Sequence, residues 1–281
     1  EDEMVDKPLN FSESANLIDD AFNEIFRDII ARNDQISISL TGGWDGRILL
    51  AYASRYAEKN QILLYSFASK DSPDVFIPEE NAERLNYEYL PIDLGESGYT
   101  ERISHWAKET IDRSDGLRSP MRSHYLYAMN LLNDKADFII SGIGGSNLIK
   151  SGKYHPSNVY NQNVLDLMLS DNYESVINKH FNYTKRQYPD FFPYLSENDF
   201  IDSFHTQRFL SLFRNYGPKR RMFHFLIGEI ERKYFGYELM SYRHLIRHYT
   251  PFFDMRFIRA LAKSSLFGGY NSGNPHLNTF R

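Results

Sequence analysis

Apolar residues recur at spacings of three and four through residues 14–32, at Leu17, Ile18, Ala21, Phe22, Ile25, Phe26, Ile29 and Ile30, with acids and amides between them. That period lays one apolar stripe along a helix. The pattern then shortens. Ile36, Ile38 and Leu40 form a compact apolar run, Gly42 and Gly43 interrupt it, and Asp45, Gly46 and Arg47 open a second helical stretch reaching Lys59, with Leu49, Leu50, Ala53 and Ala57 inward. Three more short apolar runs follow, at Ile62–Phe67, Tyr87–Ile92 and Asp137–Ser141, each bounded by polar residues as buried parallel strands are. Between them the periodicity predicts helices ending near Arg84 and over about 99–112 and 120–134, the last opened by Ser119 as N-cap and Pro120 at the first helical position.

Strands alternating with helices over the first 150 residues predict an α/β fold, a doubly wound parallel sheet. Beyond the polar stretch Ser151–Gln162 the chain reads as helices rich in Phe, Tyr, Arg and His, at 163–181, 197–215, 219–238 and 254–263. The expected organisation is therefore a nucleotide-binding α/β part over 12–150 and a mostly helical part over 151–281. The 21 Phe and 20 Tyr could stack nucleic-acid bases, but their helical spacing assigns them to core packing.

Composition narrows the function classes. A net charge of −5 argues against a general nucleic-acid binder, and no apolar run approaches the roughly 18–20 residues that cross a bilayer. The chain has no cysteine, which excludes a disulfide scaffold, a thiolate metal site and a cysteine nucleophile, and fits a cytoplasmic setting. Its acidic start, EDEMVDKPLN, lacks the regions of a signal peptide and has no initiator Met, so upstream sequence is expected to have been removed. Neither a Gly-x-Ser-x-Gly elbow, a Walker lysine motif nor His-Glu-x-x-His is present.

The chemistry concentrates at two turns. A strand feeding paired glycines at a helix N-terminus lets backbone approach an anion, and the first N–H groups of the helix point at it. Thr41 adds a hydroxyl beside Gly42 and Gly43. A second strand ends in Ser141, Gly142, Ile143, Gly144 and Gly145. Ligands of parallel sheets sit beyond the carboxyl ends of strands, so both turns are expected to line one site.

These residues resemble a known family. LTGGWDGR resembles the SGGxDS pyrophosphate loop of the N-type ATP pyrophosphatases, and above all the synthetase domain of the asparagine synthetase family. The helix before the loop, YSFASKDSPDV, SGIGGSN, TPFFDMRFI and the closing HLNTFR match that domain in order, from about residue 14 to 281. The resemblance implies an adenine nucleotide alpha-hydrolase-like sheet and ATP-dependent amide-bond formation through an acyl-adenylate, with AMP and pyrophosphate released. Thr41, Gly42, Gly43 and Gly46 would wrap the phosphates, and Asp45 would hold Mg²⁺. Leu40 and Phe67 would offer backbone groups to adenine, with Ser141 and Gly142 closing the nucleotide pocket. The implied substrates are a small carboxylate and an amine.

Four departures from the family pattern bear on mechanism. Gly46 stands where the loop has serine. Ile143 replaces a glutamate tied to substrate chemistry, and Ser146 replaces an aspartate that helps hold Mg²⁺; no substitute acid is identified, with Asp71, Asp74 and Asp115 candidates only by loop placement. The chain stops before a lysine loop found in relatives, so either the sequence is cut short or the protein works without that lysine. There is also no glutaminase domain and no cysteine to serve one, so ammonia or another amine is expected from solution or from a partner protein. The alternative is a degenerate relative that binds nucleotide as a partner subunit. A sulphur- or tRNA-modifying pyrophosphatase fits less well without cysteine or a basic face.

Other candidates carry plainer readings. Arg47 either reaches phosphate or is a solvated helix residue. His244 and His248 are four apart, as helix-borne metal ligands can be, but lack a third ligand and read as ordinary helix residues. Glu229 and Glu238 read as ion-paired or solvated, with a replacement acid as the sharper option. Lys219-Arg220-Arg221 reads as an exposed basic turn or as the rim of a phosphate mouth.

Overall fold

In the computed structural model, residues 9–149, 170–191, 196–204 and 207–264 are described. They fall into two compact units, one of residues 9–148 and 233–264, the other within 149–232.

The first unit holds a five-stranded, all-parallel sheet with strands β1 (Ile36–Ser39), β2 (Ile62–Ala68), β3 (Glu88–Asp93), β4 (Phe138–Ile140) and β5 (Arg247–Tyr249). Their order is β3-β2-β1-β4-β5. The chain steps outward from β1 to β3, then resumes on the other side of β1 with β4, which is the arrangement of a doubly wound α/β sheet. Ile36 pairs with Ile62 on one side and Phe138 on the other, so the carboxyl ends of β1 and β4 lie side by side.

Before the chain leaves this unit its longer helices are α1 (Phe11–Ile30), α2 (Trp44–Ala53), α3 (Pro73–Leu85), α4 (Ile103–Arg113) and α5 (Ser123–Leu132), with the short α6 (Gly145–Ile149) at its edge. Helix α1 begins three residues before the apolar stripe, because Asn10 and Glu13 form a capping box that satisfies its first N–H groups. Helix α2 stops at Ala53 rather than near Lys59, and Ala57 lies beyond it. Ser119 does cap, but Pro120–Arg122 is a 3₁₀ turn ahead of α5.

Alternation along β2 sends Leu63 and Tyr65 to one face and Ile62 and Leu64 to the other. The first face packs with Trp106 of α4 and Leu126, Met129 and Leu132 of α5. A separate aromatic cluster gathers Phe22 and Phe26 of α1, Tyr52 of α2, and Phe252 and Phe257, with Phe22 centred 4.9 Å from Tyr52 and 5.0 Å from Phe257.

The second unit is helical where described, with α7 (Tyr173–Gln187), α8 (Glu197–Phe204), α9 (Gln207–Asn215) and α10 (Pro218–Phe225), followed by a π-helical segment Leu226–Glu231. Arg221 is buried there, donating to the Ser170 and Tyr216 carbonyls and lying 4.1 Å from the Phe213 ring. It is not part of an exposed basic turn, and the Lys219 side chain lies outside the described residues.

The chain then returns to the sheet unit through α11 (Gly236–Tyr242), β5 and α12 (Met255–Lys263). The helical part expected over 151–281 thus gives way after residue 232 to the sheet's fifth strand. Asp254 of the TPFFD segment caps α12, accepts from the Tyr249 hydroxyl, and pairs with Arg256, which also reaches Asp28 at 2.6 Å. The expected pieces at 163–169 and HLNTFR lie outside the described residues. No helix among the described residues is long and apolar enough to cross a membrane.

Phe22 is fully buried whereas Phe11, on the same helix, is 61% exposed. Phe22→Ala is expected to lower unfolding free energy by about 3–5 kcal/mol, and Phe11→Ala by under about 0.5 kcal/mol, in urea titrations.

Candidate functional site

A cavity of about 390 Å³ opens at the carboxyl ends of the strands, lined on one side by Thr41, Asp45, Gly46, Ser141, Gly142 and Ser146. The two glycine turns expected to share a site therefore do so. They are held together by one carboxylate: Asp45 Oδ2 accepts from the Ser146 backbone N–H at 3.1 Å and from its hydroxyl at 2.7 Å.

Close packing explains some of these glycines and not others. A Cβ at Gly46 would sit 2.5 Å from the Ser39 carbonyl oxygen, so the turn of α2 can approach β1 only without a side chain. A Cβ at Gly145 would lie 2.9 Å from Asp45 Cγ and 2.8 Å from the Phe252 ring. The Gly42–Gly43 pair is different. A Cβ there would meet nothing nearer than 3.4 Å at Gly42 and only the Thr41 hydroxyl at 3.2 Å at Gly43, whose φ of −77° suits any residue. Neither packing nor backbone conformation requires glycine at this pair.

Gly42 N–H donates to Asp74 Oδ1 at 3.2 Å and Gly43 N–H to Thr41 Oγ1 at 3.1 Å. Arg47 makes contacts to its own turn that neither of its readings named. Its guanidinium donates to the Gly42 and Gly43 carbonyls, both at 3.0 Å, and stacks on Trp44 at 4.3 Å, bracing the turn from its carbonyl side. Leu40 is fully buried and its N–H is bonded to the Tyr65 carbonyl, while Phe67 lines the cavity.

Of the substitute acids, Asp74 lines the cavity, whereas Asp71 does not and Asp115 follows the end of α4 at φ 51°. Among the described residues no group of three His, Cys, Asp or Glu side chains could hold a metal ion. Glu229 belongs to the second unit. Glu238 is buried on α11 beneath two arginines: Arg118 donates to it, and Arg122 binds both its oxygens at 2.9 and 3.1 Å. Arg122 also lies 4.3 Å from the Tyr125 ring. That cluster is internally paired and does not line the cavity.

The remaining wall was not legible from the motifs. It includes Tyr65, Tyr125, Met129, Phe235, Tyr242 and His248. The helical reading of the two histidines fails, because His244 lies in the turn after α11 and His248 is in β5. His248 Nε2 is 2.7 Å from Ser141 Oγ. Burial drives its pKa down to about 3, so the imidazole is neutral near pH 7. Burial, reinforced by Arg122, likewise takes His124 down to about 4.

Comparison with protein-family models and with curated proteins finds no match to this chain.

Two outcomes follow from this geometry. In a double-mutant cycle, Asp45→Asn and Ser146→Ala should show a coupling of about 0.5–3 kcal/mol in unfolding free energy, and strict additivity would mean the clasp carries no energy. His248 has a folded pKa below its unfolded value of about 6.5, so its contribution to stability is complete above that pH and declines as pH falls toward about 3. Stability measured from pH 6.5 to 4 should fall more gently in His248→Asn, by up to about 1.4 kcal/mol per pH unit.

Proposed function

We propose that the chain is an ATP-dependent amide ligase of the asparagine-synthetase type, built on an adenine nucleotide alpha-hydrolase-like sheet and working in the cytoplasm. The single observation that carries the reading is the Gly42–Gly43 pair. Glycine there answers no packing or backbone need, and a ligand closing on the turn would explain it. The pair precedes α2, whose first-turn N–H groups have no side-chain cap. In this reading ATP takes a carboxylate oxygen at its α-phosphorus, pyrophosphate leaves, and an amine then displaces AMP from the acyl group.

The chain's own residues divide the work. Thr41, Gly42 and Gly43 would exchange their internal hydrogen bonds for phosphate oxygens, and Arg47 would keep the turn's carbonyls turned away from that charge. Ser141 and Gly142 would bound the nucleotide from the neighbouring strand. Mg²⁺ fits this donor set in a limited way. Asp45 retains Oδ1 without a hydrogen bond, Asp74 lies on the same cavity, and a magnesium shell of one or two carboxylates is completed by phosphates and water. The amine would come from solution or from a partner protein.

A second reading is favoured by a specific pair of features, the Asp45 oxygen already bonded twice to Ser146 and the apolar Ile143 on the cavity wall. It makes the chain a nucleotide-binding partner subunit without turnover. Pyrophosphate exchange into ATP across a panel of carboxylates separates the two. The ligase reading expects carboxylate-dependent exchange that falls about 100-fold or more in Asp45→Ala. No exchange in the full-length chain, together with ATP binding indifferent to Mg²⁺ in calorimetry, would leave only the partner reading.

A further inference from the structure

Two arginines and one glutamate lie behind the cavity wall, and their charges do not cancel. Arg118 and Arg122 both pair with Glu238, and neither pairs with another acid among the described residues. Arginine keeps its charge throughout the ordinary pH range, so the cluster carries one surplus positive charge. Arg118 and Glu238 are buried and the Arg122 side chain is 28% exposed, so solvent screens that surplus poorly. His124 beside it adds no charge near pH 7, since burial, reinforced by Arg122, holds its pKa at about 4. A surplus charge in a protein interior is costly unless an opposite charge answers it.

Tyr125 stands between this surplus and the cavity. The Arg122 guanidinium lies 4.3 Å from its ring centroid on one side, and Phe67 meets the ring edge-on at 4.9 Å. Tyr125 is partly exposed and lines the cavity, whereas the Tyr242 hydroxyl further in is closed off. Arg122 commits Nε and Nη2 to Glu238. A guanidinium can only donate, so where it meets the Tyr125 hydroxyl it takes the oxygen and leaves the phenolic proton uncommitted. Burial raises the phenol above its ordinary pKa, so that proton is present to donate. The cavity itself is lined by Asp45 and Asp74 and by no lysine or arginine among the described residues. An anionic group entering it therefore finds its countercharge behind the wall, through Tyr125.

We propose that the Tyr125 hydroxyl donates to the carboxylate of the acyl substrate, with Arg122 behind it supplying the positive charge that answers that carboxylate. The word acyl rests on the ligase reading; an anionic oxygen at Tyr125 rests on the cluster and the cavity alone. Tyr125 is the group that touches the ligand, and Arg122 is a positioning residue acting through it. A phosphate oxygen shares this chemistry, so ATP is titrated alongside.

Benzoate and benzamide are the probes, alike in shape and different in charge. Ligand-observed magnetic resonance titrations of the full-length chain should show benzoate binding about tenfold more tightly than benzamide, the worth of one charge-assisted hydrogen bond. That advantage should shrink as salt rises. Tyr125→Phe keeps the ring against Phe67 and should weaken benzoate about tenfold, while leaving benzamide affinity, ATP affinity and thermal stability unchanged. Arg122→Gln should erase the preference for benzoate with the hydroxyl still present, and Arg122→Lys should restore most of it. A merely structural arginine would move both probes together. Equal affinity for the two probes in the parent, or benzoate affinity unchanged in Tyr125→Phe, overturns the proposal. Loss of ATP affinity in Tyr125→Phe also overturns it, by giving the hydroxyl to a phosphate. Because the titration needs no turnover, failure of the two readings can be told apart. Benzoate held through Tyr125 without pyrophosphate exchange on any carboxylate removes the ligase reading, and exchange with benzoate indifferent to Tyr125 removes only this assignment.

Discussion

Everything at the carboxyl end of the sheet depends on two parallel neighbours, β1 and β4, ending side by side in glycine turns. Adjacent strands are only about 4.8 Å apart, so the two turns meet closely, with Asp45 and Ser146 between them. Asp45 spans that gap with a short side chain, and Ser146 meets it with two donors. Gly142 and Gly145 are consequences of the same crowding, because a Cβ at either would come within 2.7 and 2.9 Å of Asp45. The switch point thus sets the clasp, and the clasp sets the shape of the cavity mouth.

Charge is arranged around this constraint with little left free. Arg47 faces the carbonyls of its own turn, Asp74 faces the Gly42 N–H, and Arg118 and Arg122 close on Glu238. Glu238 has almost no exposure, and a buried carboxylate is tolerable only when its hydrogen-bonding capacity is filled. Two arginines fill it, one of them backed by the Tyr234 carbonyl at 2.9 Å. The cavity between these groups is consequently polar along the glycine turns and aromatic along β2, α5 and β5.

What could be read from the sequence followed periodicity and spacing. The stripe on α1, the four short apolar runs and the paired glycines carry strong local signals, and they appear as helix, strands and neighbouring turns. β5 carries none. Its three residues, Arg247, His248 and Tyr249, are polar or amphipathic, and they form a strand only because β4 offers an unpaired edge through Phe138, Ile139 and Ile140. Missing that strand misplaced His248 onto a helix and hid its contact with Ser141. Tyr242 was lost for the same reason, since its neighbours are fixed by tertiary packing and not by local pattern. The boundary drawn near residue 150 marked where the chain leaves the sheet unit, but no composition shift announces its return at 233.

The identity of residue 146 changes the electrostatic logic of the whole mouth. With an aspartate there, as in the family that the motifs resemble, its carboxylate and that of Asp45 would face each other across about one strand spacing. Two such groups repel unless a cation lies between them or one takes up a proton. Serine removes the conflict. Its hydroxyl and N–H donate to Asp45, so the turns are drawn together by a charge-assisted hydrogen bond in place of a bridging ion. The joined geometry then needs no metal to form. A cavity mouth preassembled in this way keeps its shape through hydrogen bonds from one turn to the other, with no bridging cation between them.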